Sequence, residues 1–300
     1  MEIGAYVPAR DDLREWLDLL EKGGINFVEL DAGVLPEKSE GEVEKLSLSF
    51  KERKIKVYSV HAPFGGEKDL SIPEEKKREK MLNSVIRVME RGKVMGAEVI
   101  VVHPGGVVAK EEEVGERFKI FCRSIEKILP LAERYRMKIA VENMLPCHPG
   151  ARATDLKKIV KSFSSPYLGV CFDTGHSNVA NKIEDDFKLL KNYIFTFHIH
   201  DNDGTRDMHL QPPYGSIDWE KFYSLVKDSP YQGPLNLECL PWKGAEPGWA
   251  RKEVEWLFEG KILKTNSPRP SYLRCARCGH FIFKDKENPV CYCSHQDKFT

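Results

Sequence analysis

Eight short β-rich runs recur along the chain: EIGAYV (2–7), FVELDA (27–32), KVYSVHA (56–62), EVIVVHPG (98–105), KIAVENM (138–144), LGVCFDT (168–174), IFTFHIHD (194–201) and PLNLECL (234–240). Charged stretches of helical period fill most of the intervals. In DDLREWLDLLEKGG, Asp11 or Asp12 is an expected N-cap and Gly23-Gly24 the stop. KREKMLNSVIRVMERGKVMG and ERFKIFCRSIEKILPLAERY are longer examples. Near-continuous apolar strands alternating with amphipathic helices imply parallel strands covered by helices. Eight such units predict a closed (β/α)8 TIM barrel. An open doubly wound sheet fits less well, because no G-x-G-x-x-G turn follows the first strand.

The character changes after about residue 260. The sequence predicts a barrel over 1–262, a polar, proline-containing linker over 263–270 and a small tail over 271–300. In the tail, Cys275 and Cys278 form a C-x-x-C pair followed by glycine, and Cys291 and Cys293 supply a second pair. Four cysteines so arranged predict a zinc-ribbon-like tail around one structural zinc. The tight second pair leaves His280 or His295 as a substitute ligand. So small a segment scarcely folds without its metal.

Bulk properties exclude little but point one way. Lys+Arg and Asp+Glu are 46 each, so the formal charge is zero and gives no global pull toward nucleic acid or anionic membrane. The longest apolar runs, such as VIVV (99–102), are too short to span a bilayer. The N-terminal MEIGAYVPAR lacks the pattern of a signal peptide. Cys122, Cys147, Cys171 and Cys239 are scattered singly, as in reduced, intracellular proteins. A cytoplasmic location is expected, with no membrane partner.

In a barrel of this type the active site lies at the C-terminal mouth of the strands. Metal-ligand residue types stand at or just beyond the ends of six of the runs: His61, His103, Glu142, Asp173 with His176, His198 with His200, and Glu238. Buried carboxylates are unfavourable unless paired or metal-bound, so Glu142 and Glu238 facing one interior require a cation or protons. His198 and His200, two apart on a strand, point to the same face, while Phe197 and Ile199 turn outward. Asp207-Met208-His209 repeats the two-residue spacing. Such mixtures of carboxylate and imidazole suit zinc, manganese or cobalt.

VHAP (60–63), VVHPGG (101–106), VEN (141–143), FDTGH (172–176), HIHDN (198–202), DMH (207–209) and LE (237–238) together resemble the xylose isomerase-like TIM-barrel superfamily over residues 1–260. That group contains sugar-phosphate isomerases and epimerases and the endonuclease IV type of DNA-repair enzyme (AP endonuclease family 2). For the isomerase branch the resemblance implies one divalent ion held by Glu142, Asp173, His198 and Glu238. Glu142 and Glu238 would pass a proton through an enediolate, His176 would bind substrate oxygens, and His200 would contact substrate or orient a ligand. For the endonuclease branch it implies three zinc ions, with His61, His103, His176, Asp207 and His209 added to the set.

The main expectation is therefore a metal-dependent sugar or sugar-phosphate isomerase/epimerase, acting on a small molecule, with homo-oligomerisation left open. FGGEKDL after VHAP lacks the apolar and aromatic insertion expected of a DNA-penetrating loop, and the neutral charge offers little for a phosphate backbone. An endonuclease IV-like trinuclear phosphodiesterase acting on abasic-site DNA is the alternative, and a non-catalytic metal-binding barrel the third reading. EEKKREK (74–80) reads as a solvated helix start, and Gly65-Gly66 and Gly105-Gly106 as loop residues that could border a substrate lid. Arg152, Arg206 and Lys243 fall in loops of the active face, where a phosphate could meet them. Trp242 could stack on a sugar ring or close the core. His148 has no partner pattern.

Overall fold

A computed structural model describes residues 2–9, 13–35, 39–108, 110–239, 272–274 and 281–283. Its eight parallel strands are β1 Ile3–Val7, β2 Phe27–Asp31, β3 Lys56–His61, β4 Val99–Val102, β5 Lys138–Glu142, β6 Leu168–Asp173, β7 Ile194–Ile199 and β8 Leu235–Leu237. Each pairs with the next, and β1 closes on β8, giving the expected (β/α)8 barrel. The helices are α1 Leu13–Lys22, α2 Glu40–Glu52, α3 Glu75–Met95, α4 Glu111–Tyr135, α5 Ala153–Phe163, the short α6 Thr174–Val179, α7 Ile183–Leu190 and α8 Trp219–Lys227. None is long and apolar enough to cross a membrane.

The strands are apolar on both faces because both are covered. Outward residues meet the helices: Phe172, Phe187, Phe197 and Phe222 interlock with ring centroids 5.4–6.3 Å apart. Phe197 and Ile199 join this outer layer, as their spacing against His198 required. Inward residues form a smaller cluster of Val99, Val101, Ala140 and Cys171, the floor beneath the barrel mouth. The helix stops are local. Gly96 ends α3 at φ +84°, a conformation glycine adopts without steric penalty, and its N–H returns to the Gly92 carbonyl.

The runs end earlier than their composition suggested. β8 is only three residues long, so Glu238 lies just beyond it, and His200 lies just beyond β7. Antiparallel β9 (Tyr272–Arg274) and β10 (Phe281–Phe283) flank the Cys275–Cys278 stretch in the sequence. Asp11, Asp12, Trp242, Lys243, the linker over 263–270, the four tail cysteines, His280 and His295 lie outside the described residues.

Candidate metal centre

At the C-terminal ends of six consecutive strands the barrel brings its ligand-type side chains together. His61, Glu142 and Asp173 are the last residues of β3, β5 and β6, and His103 follows β4 directly. Adjacent register puts Asp173 beside His198. His198 Nδ1 lies 3.1 Å from Glu238 Oε2, 3.4 Å from Glu142 Oε2 and 3.8 Å from Asp173 Oδ2. Glu142, Asp173, His198 and Glu238 thus offer four ligand atoms within 4.8 Å of one another, enough to surround one cation.

Two further groups adjoin this one. His61 Nε2 and His103 Nε2 approach Glu142 Oε2 at 3.5 and 3.0 Å. On the opposite side, Asp207 Oδ2 lies 3.5 Å from His176 Nε2 and 2.9 Å from His209 Nε2. His200 stands between the central and third groups. Its Nε2 is 2.9 Å from Asp173 Oδ2, its ring stacks on His209 with centroids 4.1 Å apart, and its Nδ1 faces Asp207 Oδ1 at 3.7 Å.

The histidines are oriented by what their far nitrogens touch. His61 Nδ1 is 2.7 Å from the Ala62 carbonyl, His176 Nδ1 2.8 Å from the Asn143 carbonyl and His209 Nδ1 2.7 Å from the Glu238 carbonyl. A carbonyl can only accept, so each Nδ1 is the N–H donor, and each Nε2 is left to face a carboxylate. His198 is reversed: its Nε2 meets Glu29 Oε1 at 2.8 Å, and Nδ1 turns to the centre. His61 Nε2, Glu142 Oε2, His198 Nδ1, His200 Nδ1 and Asp207 Oδ1 are buried without a hydrogen-bond partner. Buried polar atoms are rarely left so. Five of them converging on one mouth fit divalent cations, and the anchored far nitrogens are the outer contacts that metal-binding histidines use.

Electrostatics agree with the geometry. Burial opposes the charge on Glu142, but His103 and His198 hold its carboxyl well below the usual range. Burial likewise opposes Glu238, and His198 brings it down to about 2. His209 is raised to about 10 because Asp207 outweighs its burial, whereas burial lowers His103.

Local sequence explains the fit. Asp173 is the N-cap of α6, accepting the His176 N–H at 2.6 Å, so D-T-G-H fixes a candidate ligand and a cap in one turn. Thr174 Oγ1 donates to the His200 carbonyl at 2.7 Å and ties that turn to the end of β7. A Cβ on Gly175 would fall 2.0 Å from the His200 ring, so only glycine fits there. Asn143 of V-E-N accepts the Asp173 N–H at 2.7 Å and donates to the Asp173 carbonyl at 3.0 Å. Asp69, buried after β3, accepts from Ser71 N–H at 2.7 Å, from Gly106 N–H at 3.1 Å and from the Arg117 guanidinium. It clamps the loop after His61 to the loop after His103.

Glu29, Asp69 and Arg117 escaped the reading of the sequence. Other residues singled out there lie elsewhere or remain secondary. Arg152 is exposed and pairs with Asp155 at 3.0 Å, Arg206 is half-buried beside Asp207, and the His148 ring meets the Pro146 carbonyl.

A closed parallel barrel with carboxylates and imidazoles gathered at its C-terminal mouth defines a class of α/β barrels. Within it, the chain belongs to the xylose isomerase-like TIM barrel family, whose model matches residues 17–259. An uncharacterised protein of Methanocaldococcus jannaschii is 31% identical over 185 residues, 60% of this chain and 63% of that relative, so the match spans less than two thirds of its length. A probable endonuclease 4 of Staphylococcus carnosus is 24% identical over 200 residues, 61% of this chain and 66% of that protein. Among solved structures, a D-tagatose 3-epimerase-like protein superposes with TM-score 0.77 at 24% identity, covering 86% of this chain and 97% of its own. IOLI protein with a binding zinc atom gives TM-score 0.71 at 19% identity, covering 89% and 100%. These two share the fold.

Proposed function

We propose that the chain is a divalent-metal-dependent hydrolase of phosphate esters, with abasic-site DNA as its substrate, and that its barrel mouth holds three metal subsites. The first comprises His61, His103 and Glu142; the second Glu142, Asp173, His198 and Glu238; the third His176, Asp207 and His209. One observation carries this reading: the same Glu142 oxygen that faces His198 also meets His61 and His103. A carboxylate so placed is built to join two ligand sets, and its surrounding imidazoles leave it little room to reach a carbon-bound proton. Bound ions would supply an activated water and charge stabilisation at a phosphate. The chain's own contribution is to hold the ligands at fixed tautomers, through the carbonyls of Ala62, Asn143 and Glu238 and through Glu29. Similarity to probable endonuclease 4 proteins supports the same choice.

The test is metal analysis of the purified chain beside an incision assay on an abasic-site duplex. Three barrel ions, plus one zinc in the cysteine-bearing tail, together with metal-dependent incision are expected. A single barrel ion without incision would overturn the reading.

A second reading, a mononuclear sugar isomerase/epimerase, rests on Glu142 and Glu238 both lying within 3.4 Å of His198 Nδ1. Here one ion, held by Glu142, Asp173, His198 and Glu238, would polarise the sugar oxygens, and the two glutamates would move a proton at carbon. Likeness to epimerases in fold supports it. Exchange of solvent deuterium into a ketose, abolished in Glu238→Gln, would favour this reading over the first.

A further inference from the structure

Beside the metal centre lies a groove of about 720 Å³ with a cationic lining. One wall is a face of α3: Lys80, Ser84 and Arg87, spaced four and three residues apart, project to the same side. The opposite wall is the turn after β2, Asp31–Val34, and the end wall is Pro63, Phe64 and Lys68 from the hairpin after β3. Gly65 and Gly66, at φ +83° and +61°, allow that hairpin to close, with the Lys68 N–H returning to the Gly65 carbonyl at 3.1 Å.

Among the described residues, cations outnumber carboxylates in the lining of this groove by three to one. Lys68, Lys80 and Arg87 are exposed and form no ion pair with another described residue. Of the described carboxylates nearby, Asp31 lines the groove and Glu67 is paired outside it. Asp31 accepts from the Tyr6 hydroxyl and from the Gly33 N–H, and Glu67, which also feels the charge of Lys80, pairs with Lys77 at 2.7 Å. Lys77, in turn, also meets Glu74 at 3.2 Å, so it belongs to the solvated helix start while Lys80 faces the groove.

Phe64 separates the groove from the candidate metal centre and touches both. It is 43% exposed and packs its ring 4.8 Å from that of His61 and 4.6 Å from that of His103. Three cations against the single Asp31 carboxylate, a hydroxyl, and an aromatic ring packed on two of the candidate metal ligands describe a receptor for a phosphate attached to a sugar.

We infer that this groove is a phosphate-binding subsite: Lys68, Lys80 and Arg87 hold a phosphate of an ester whose sugar passes Phe64 to reach the metal centre. It deepens the proposed function, resting on the metal centre as the reacting site. It assigns the substrate a second point of attachment, a phosphate outside the bond or carbon undergoing reaction. A free sugar phosphate and a nucleic-acid strand both carry that group.

The experiment measures binding to the full chain, before and after Lys80→Gln/Arg87→Gln. The probes are inorganic phosphate, ribose, ribose 5-phosphate and a short fluorescein-labelled duplex with one abasic site, held at low temperature. Arg123→Gln/Lys127→Gln, which removes two exposed α4 cations four residues apart, is the charge-matched control. A loss of about tenfold or more in affinity for at least one phosphate-ester probe is expected in the groove variant, with ribose binding, metal content and the control unaffected. Loss confined to ribose 5-phosphate identifies a small-molecule source, and loss confined to the duplex identifies a strand. Wild-type affinity for both esters in the groove variant, or equal losses in the control, would overturn the subsite. Incision by the wild-type chain is read in parallel: its absence beside a groove-specific loss counts against the proposed reaction and leaves the subsite standing.

Discussion

Glu29 Oε1 lies 2.8 Å from His198 Nε2, while Ser59 Oγ donates to Glu29 Oε2 at 2.6 Å, so a buried carboxylate on β2 fixes the ring of His198 on β7. All three side chains are buried inside the barrel. The chain from Ser59 to Glu29 to His198 decides which imidazole nitrogen faces Glu142 and Glu238.

Glu29→Gln removes the charge and gives Ser59 and His198 an amide that cannot accept from both as a carboxylate does. Outer contacts of this kind are worth roughly 10–100-fold in metal affinity. Zinc affinity at the central group should fall by about that factor, measured by competition with a chromophoric chelator, while the far-UV spectrum stays unchanged. Unaltered affinity would mean that strand packing alone orients His198.

The subsites also predict a count. His61→Ala/His103→Ala removes two proposed ligands that share Glu142 and leaves the four of the proposed central group in place. Elemental analysis should show one ion fewer per chain, with the central ion retained. An unchanged metal count would show that this pair holds no ion and would leave Glu142 serving one metal.

The barrel and most of the centre were legible because two rules act locally. Parallel strands covered on both faces read as apolar runs, and barrel chemistry gathers where those runs end. His61, His103, Glu142 and Asp173 satisfy both rules at once. Glu29 does not, since it lies inside F-V-E-L-D-A rather than at its end. A usable signal was present: Val28 and Leu30 face outward, so period two turns Glu29 inward, where a carboxylate needs a partner. Asp69 and Arg117, 48 residues apart, carried no such signal, because only the meeting of two loops and α4 makes them a pair. His200 looked like a strand residue facing the same side as His198. The strand ends first, and the Thr174 hydroxyl sets its position instead.

The Asp69–Arg117 pair gives a stability prediction. Both side chains are largely buried, and Asp69 also holds the N–H groups of Ser71 and Gly106. Arg117→Met keeps much of the apolar stem but strands the carboxylate, and removing one partner of a buried pair costs about 3 kcal/mol. For a barrel of this size that corresponds to a fall in Tm of roughly 6–12 °C, read by calorimetry. Asp69→Asn/Arg117→Met should recover part of the loss, since the stranded charge is gone. A fall no smaller in the double variant would show that hydrogen bonds to the two loops, rather than charge, dominate.

Asp186, at the start of α7, supplies the pH dependence. Burial pushes its carboxyl up to about 6, and the side-chain hydrogen bond it accepts from Ser177 Oγ is long at 3.4 Å. In the unfolded chain the same group titrates near 3.9. Between about pH 4 and pH 6 the folded state therefore binds more protons than the unfolded state, so this group makes stability fall as pH rises through that window. Above it the full penalty of a buried charge is present, and below it the carboxyl is neutral in both states. Asp186→Asn removes the charge without changing the shape. Its Tm should exceed that of the wild type at pH 8, and the difference should shrink through the window and vanish below about pH 4. A constant Tm difference across pH would assign the effect to packing against α6 instead of to ionisation.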